Sequence, residues 1–133
     1  MADVRTLYDW AGGDETIRRL VEVFYSKIPQ DEDLAPIFPE DLTEIRHKQY
    51  LFLTQFFGGP PLFSQAYGAP MLRARHLKVP ITRRHARAWL RRMSESLQEI
   101  GISGPLYEVM MERLTRAGMH MVNTEEEDVP AAP

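Results

Sequence analysis

A chain of 133 residues with 44% apolar and 26% charged side chains has the ordinary balance of one globular domain, long enough to enclose a sizeable core. A formal charge of −3 argues against a general nucleic-acid binder, and no apolar run reaches the length of about eighteen residues that a membrane span needs. Zero cysteines exclude disulfides, thiolate metal sites and zinc-finger spacings, which leaves His47, His76, His85 and His120 as the soft metal ligands.

Met1-Ala2-Asp3-Val4-Arg5 lacks the apolar segment of a secretory signal, so a cytoplasmic protein is expected. After a lead-in with Leu7, Tyr8 and Trp10, Gly12-Gly13 makes a corner and Asp14 is the expected N-cap of a first long helix. That helix places Ile17, Leu20, Val21, Phe24 and Ile28 on one face until Pro29 ends it, with Tyr25 beside the stripe. Residues 30–41 carry two prolines and support at most one helical turn, whose Leu34, Ile37 and Phe38 fold back onto something apolar.

Asp41 followed by Glu44 predicts a capping box for a second long helix running to about Phe57. Its inward stripe reads Leu42, Ile45, Gln49, Phe52, Leu53 and Phe56, and Gln49 is its anomaly. A buried amide costs a few kcal/mol unless it finds partners, so Gln49 either bonds nearby backbone or faces a polar ligand or a neighbouring phenol. Gly58-Gly59-Pro60-Pro61 breaks this helix, and a loop is expected to lead to Gly68-Ala69-Pro70-Met71-Leu72-Arg73-Ala74-Arg75-His76-Leu77-Lys78-Val79-Pro80.

In that segment Pro70 suits a first helical turn and Pro80 stops the helix, so His76 lies near the end of a very short element. Its neighbours Leu72, Leu77 and Val79 are interleaved with Arg73, Arg75 and Lys78. A histidine among leucines is commonly just a boundary residue. An imidazole in an apolar wall rimmed by cations is also what a planar apolar cofactor with an axial metal and peripheral carboxylates requires. A segment this short buries little area of its own, so something else must hold it.

Thr82 caps a third long helix with Ala86, Trp89, Leu90, Met93, Leu97 and Ile100 inward. Arg83, Arg84, Arg87, Arg91 and Arg92 spread over its outer face as a solvated surface, or as a dock for an acidic partner. Gly101 to Gly104 turns the chain, and Pro105 starts a fourth long helix with Leu106, Val109, Met110, Leu114, Ala117 and Met121 inward. An all-α domain over residues 1–123 is expected, followed by an acidic, disordered tail over 124–133.

The chain resembles the group II truncated haemoglobins, the two-over-two helical globins. The match runs over residues 6–123 through Phe24-Tyr25, Ile37-Phe38-Pro39, Lys48-Gln49, Phe52-Leu53-Thr54-Gln55-Phe56, Gly58-Gly59-Pro60, Met71-Leu72-Arg73-Ala74-Arg75-His76, Ala88-Trp89-Leu90 and His120-Met121-Val122-Asn123. The resemblance implies a truncated globin, a two-over-two sandwich around haem b, with the paired glycines as hinges. It further implies that His76 is the proximal ligand of the iron. Tyr25, Gln49 and Trp89 then line the distal side, Phe38 packs on the porphyrin, Leu72 and Trp89 contact it, and Arg75 and Lys48 pair with its carboxylates. Ile45 stands next to the distal pocket, where this group often has a small or polar residue, and Ala69 and Tyr67 depart from the family pattern in the preceding loop.

The implied function is reversible, high-affinity binding of dioxygen for storage, sequestration or delivery. A redox enzyme of peroxidase-like or nitric oxide dioxygenase type, fed by an external reductase, is the rival, with nitric oxide, carbon monoxide and sulfide as other ligands. A cofactor-free helical interaction domain, or a haem-based sensor module, is the third reading.

Overall fold

The structure, a computed structural model, describes residues 6–77 and 79–125, without the side chains of Leu72 and Arg73. The described residues are helical, with no strand among them. The elements are α1 (Leu7–Ala11), α2 (Asp14–Lys27), 3-10 turns at Ile28–Gln30 and Ala35–Ile37, α3 (Thr43–Phe56), α4 (Leu62–Tyr67), α5 (Leu72–His76), α6 (Arg83–Glu99) and α7 (Gly104–His120). The expected tail lies outside the described residues beyond Glu125. At its start, the Thr124 N–H donates to Ile81 O at 3.1 Å.

The four long helices fall where apolar periodicity puts them. They pack as two pairs, α2 with α3 and α6 with α7, joined by contacts between α2 and α6. Ile17, Leu20 and Phe24 of α2, Leu53 of α3, Met93 and Leu97 of α6, and Met110 and Leu114 of α7 meet in one fully buried core. Gly118 of α7 faces Leu90 and Trp89 of α6, where a Cβ would sit in ordinary van der Waals contact at 3.5 Å.

The boundaries differ from expectation in physically specific ways. Gly13 rather than Asp14 is the N-cap of α2. As first helical residue, Asp14 turns its carboxylate forward to Arg18 Nε at 2.7 Å and accepts the Tyr50 hydroxyl. The Asp41–Glu44 capping box does not form. Asp41 Oδ1 accepts the Thr43 N–H at 3.0 Å in a local turn, Leu42 takes the cap position, and Glu44 pairs with Lys48. The lead-in is a helix of its own, α1, capped by the Thr6 side chain on the Asp9 N–H.

The expected loop after Pro61 contains α4, fastened to α3 where the Gln55 side chain bonds both Ser64 N and Ser64 Oγ. The short histidine-bearing helix starts at Leu72, two residues later than Pro70 suggests, because Met71 takes a left-handed conformation (φ 43°) as its N-cap. Gly58 turns at φ +98°, and at Gly59 a side chain is excluded sterically: a Cβ would lie 2.8 Å from the Tyr8 ring and 2.9 Å from Thr54 O.

The arginine run is only partly a free surface. Arg92 Nε donates to Asp31 Oδ2 at 2.6 Å and its Nη1 to Glu95 at 2.9 Å, while Arg84 pairs with Asp33 at 2.8 Å. Arg83, Arg87 and Arg91 are exposed.

Candidate functional site

Side chains from α2, α3, α5, α6, α7 and the 3-10 turn at Ala35–Ile37 enclose a cavity of about 830 Å³. Its walls are mostly apolar, among them Leu34, Phe52, Phe63, Ala86, Leu114 and Met121. The Gln49 stripe explains itself here. Ile45, Gln49, Phe52 and Phe56 are half-buried, and the first three line the cavity, so this face of α3 looks onto the cavity and not into the close-packed core.

Tyr25 is 3% exposed and lies edge-on to Phe24, with ring centroids 5.0 Å apart, and edge-on to Phe38 at 6.1 Å. Phe24 in turn meets the Trp89 ring edge-on at 6.0 Å. This chain of perpendicular rings fixes both Tyr25 and Trp89 against the cavity. Burial pushes the Tyr25 phenol well above its ordinary range, against a small opposing pull from Arg46, so it stays a neutral hydroxyl with a proton to donate. Tyr25, Gln49 and Trp89 all line the cavity, and none bonds to another described residue.

His76, at the end of α5, is half-buried on the cavity wall. His85 lines the same cavity, and sequence reasoning gave it no role. Its Nδ1 accepts the Thr82 N–H at 3.1 Å while Thr82 Oγ1 accepts the His85 N–H at 3.2 Å, a reciprocal cap at the start of α6. The Thr-x-x-His spacing was the available signal. With Nδ1 accepting, the neutral ring carries its proton on Nε2.

Arg75 and Lys48 both line the cavity, each already engaged. Arg75 donates Nε to Pro70 O at 2.6 Å and Nη2 to Tyr67 O at 2.8 Å and Ala69 O at 2.9 Å, and lies 5.1 Å over the Phe63 ring. It thereby laces the loop between α4 and α5, where Tyr67 and Ala69 depart from the family pattern. Lys48 Nζ pairs with Glu44 at 3.1 Å and sits 5.2 Å over the Tyr67 ring. Phe38 lines the wall; the side chain of Leu72 lies outside the described residues.

The residues present suit a large planar apolar group with charged edges. The cavity is roomy and apolar, an imidazole stands in its wall, three neutral hydrogen-bond donors face inward, and two cations line it. Fold and cavity together define a small helical protein whose helices surround a cavity of cofactor size.

Known proteins agree. The profile of the family described as Bacterial-like globin matches residues 6–123. The Group 2 truncated hemoglobin YjbI of Bacillus subtilis (strain 168) is 48% identical over 117 residues, 87% of this chain and 89% of that protein. The crystal structure of the group II truncated hemoglobin from Bacillus anthracis superimposes with a TM-score of 0.91 at 45% identity, covering 96% of this chain and 98% of that one. The truncated oxygen-avid haemoglobin from Bacillus subtilis does so with 0.85 at 45% identity, over 90% of this chain and 100% of that one. The chain belongs to the bacterial-like globins, in their group II truncated haemoglobin branch. Haem is the cofactor this family implies.

Proposed function

We propose that the protein binds dioxygen reversibly and with high affinity on haem b held by His76. Haem, when bound, supplies an iron that takes a diatomic gas as a reversible ligand. The observation that carries this reading is the cluster of Tyr25, Gln49 and Trp89 on one cavity, each with a donor and none with an intramolecular partner among the described residues. Tyr25 is buried and Gln49 and Trp89 are half-buried on the cavity wall, and three such donors left without partners suit a ligand that gathers negative charge on its far atom.

His76 and Phe38 line the same cavity, where the imidazole would hold the iron and the Phe38 ring would pack on the porphyrin. Arg75 would hold a haem carboxylate through Nη1, the guanidinium nitrogen not engaged with the loop carbonyls, and Lys48 would do so through its ammonium. Ile45, one turn before Gln49, narrows the approach on the donor side. The likeness to an oxygen-avid relative supports the same affinity class.

If two donors each contribute about 1.5 kcal/mol, the gas is released roughly a hundredfold more slowly than from a donor-free pocket. The test is an oxygen titration of the ferrous protein with stopped-flow release rates. Failure to form a stable oxygenated species ends this reading.

The same donors favour nitric oxide, carbon monoxide and, on oxidised iron, sulfide. Redox turnover would draw on an external reductase docking on exposed Arg83, Arg87 and Arg91. A cysteine-free chain suits the reducing cytoplasm.

A further inference from the structure

Helix α5 is only five residues long; its caps Met71 and Leu77 are exposed, and among its described side chains Ala74 and Arg75 are exposed and His76 is half-buried, so these contribute little burial to fixing it. Yet the residue at its end is the one whose placement against a cofactor must be accurate. The polar bonds around it converge on Asn123, three residues past the end of α7. Asn123 Nδ2 donates to His76 O at 3.2 Å and to Val79 O at 3.0 Å. Asn123 Oδ1 accepts the Ile81 N–H at 2.8 Å and the Thr124 hydroxyl at 2.6 Å. The Asn123 N–H donates to Ile81 O at 2.9 Å.

Both donors and both acceptor positions of the amide are therefore in use, and its orientation is fixed. A flipped amide would set NH2 against the Ile81 N–H and oxygen against two carbonyls. One side chain thus spans the end of α5, the connection to α6 and the segment after α7. His76 O receives a second bond from the Val79 N–H at 3.0 Å, so the backbone turn directly after the imidazole is held from two directions.

The geometry points to Asn123 as the residue that positions His76: its amide locks the backbone of the ligand-bearing turn to the end of α7 and so sets the height and tilt of the imidazole in the cavity. Asn123 does not line the cavity, and it acts only through His76. This inference rests on His76 being the iron ligand.

The test uses the haem-loaded protein and reads the ferrous iron–imidazole stretching band by resonance Raman, haem transfer to an excess of apomyoglobin, and the thermal midpoint. Asn123→Ala removes every side-chain bond of the clasp and leaves the backbone bond to Ile81 O. Asn123→Asp keeps an acceptor for the Ile81 N–H in nearly the same shape but loses both donors, and it serves if the alanine variant does not fold. Ser94→Ala, which breaks the Ser94–Tyr107 contact on the far part of α6, is the control for general destabilisation.

Both Asn123 variants are expected to shift and broaden the band and to speed haem transfer about tenfold, while Ser94→Ala lowers the midpoint without moving the band. A band and transfer rate unchanged in the Asn123 variants, or moved equally by Ser94→Ala, overturns the assignment. His76→Gly separates the two layers. If the wild-type band survives that change, ligation by His76 fails, and this inference with it. If the band depends on His76 and ignores Asn123, only the positioning role fails.

Discussion

At the scale of single residues, Tyr25, Gln49 and Trp89 line the cavity with donor groups that make no hydrogen bond to another described residue. Removing the Tyr25 hydroxyl leaves the ring in its edge contacts with Phe24 and Phe38 and so isolates the donor. Tyr25→Phe is expected to speed oxygen release about tenfold, the effect of one hydrogen bond of about 1.4 kcal/mol, with a thermal midpoint within a few degrees of the parent. Stopped-flow mixing with carbon monoxide measures the release. Gln49 was legible as an oddity in the sequence because an amide interrupts an apolar stripe. What Arg75 does in the loop was not: its acceptors are the backbone carbonyls of Tyr67, Ala69 and Pro70, which leave no trace in residue type.

At the scale of elements, the turn that carries Phe38 to the cavity is anchored by one carboxylate. Asp31 is 2% exposed, and its Oδ1 accepts the N–H groups of Asp33 at 2.8 Å and Leu34 at 3.1 Å while its Oδ2 takes Arg92. Burial alone would raise its pKa, but the Arg92 bond and the two backbone donors outweigh it and hold the carboxyl below its ordinary range. A depressed folded-state pKa contributes stability that is complete above the unfolded value of about 4 and is lost as the pH falls through the lower folded value. Asp31→Asn is expected to cost about 2 kcal/mol near neutrality and to flatten the loss of stability below about pH 4, as read from denaturant midpoints across that range.

The hinge before α4 obeys a steric rule instead. Gly59→Ala drives a methyl into Thr54 O and the Tyr8 ring and is expected to cost about 2 kcal/mol, visible in the same midpoints. The hinge was legible as a glycine pair, but the helix just beyond it was hidden by Pro60-Pro61, which in isolation reads as loop. The Gln55 bonds to Ser64 and the edge-on packing of Phe63 on Phe52 settle α4 against α3.

At the scale of the molecule, a cavity of about 830 Å³ is large for a chain of 133 residues and draws its lining from most of the helices. A cofactor bound there is linked to folding by mass action. At a hundredfold excess over its dissociation constant, haem adds about 2.7 kcal/mol, which for a chain of this size raises the melting midpoint by roughly 10 °C. Differential scanning calorimetry of the haem-free and reconstituted protein is expected to show that gap, and His76→Gly to narrow it.

The sequence by itself determined the four long helices, the positions of their apolar faces and the resemblance that makes His76 an expected iron ligand. These depend on local periodicity and short-range spacing, which any stretch of chain carries within itself. The resemblance already set Tyr25, Gln49 and Trp89 on one side of a cofactor, but tertiary structure alone decided that Arg92 serves Asp31 and not the solvent, and that Asn123 closes on the turn after His76 from 47 residues away. Those are pairings between distant segments, and several of the partners are backbone atoms that every residue possesses. No pattern of side chains can announce them before the chain has folded.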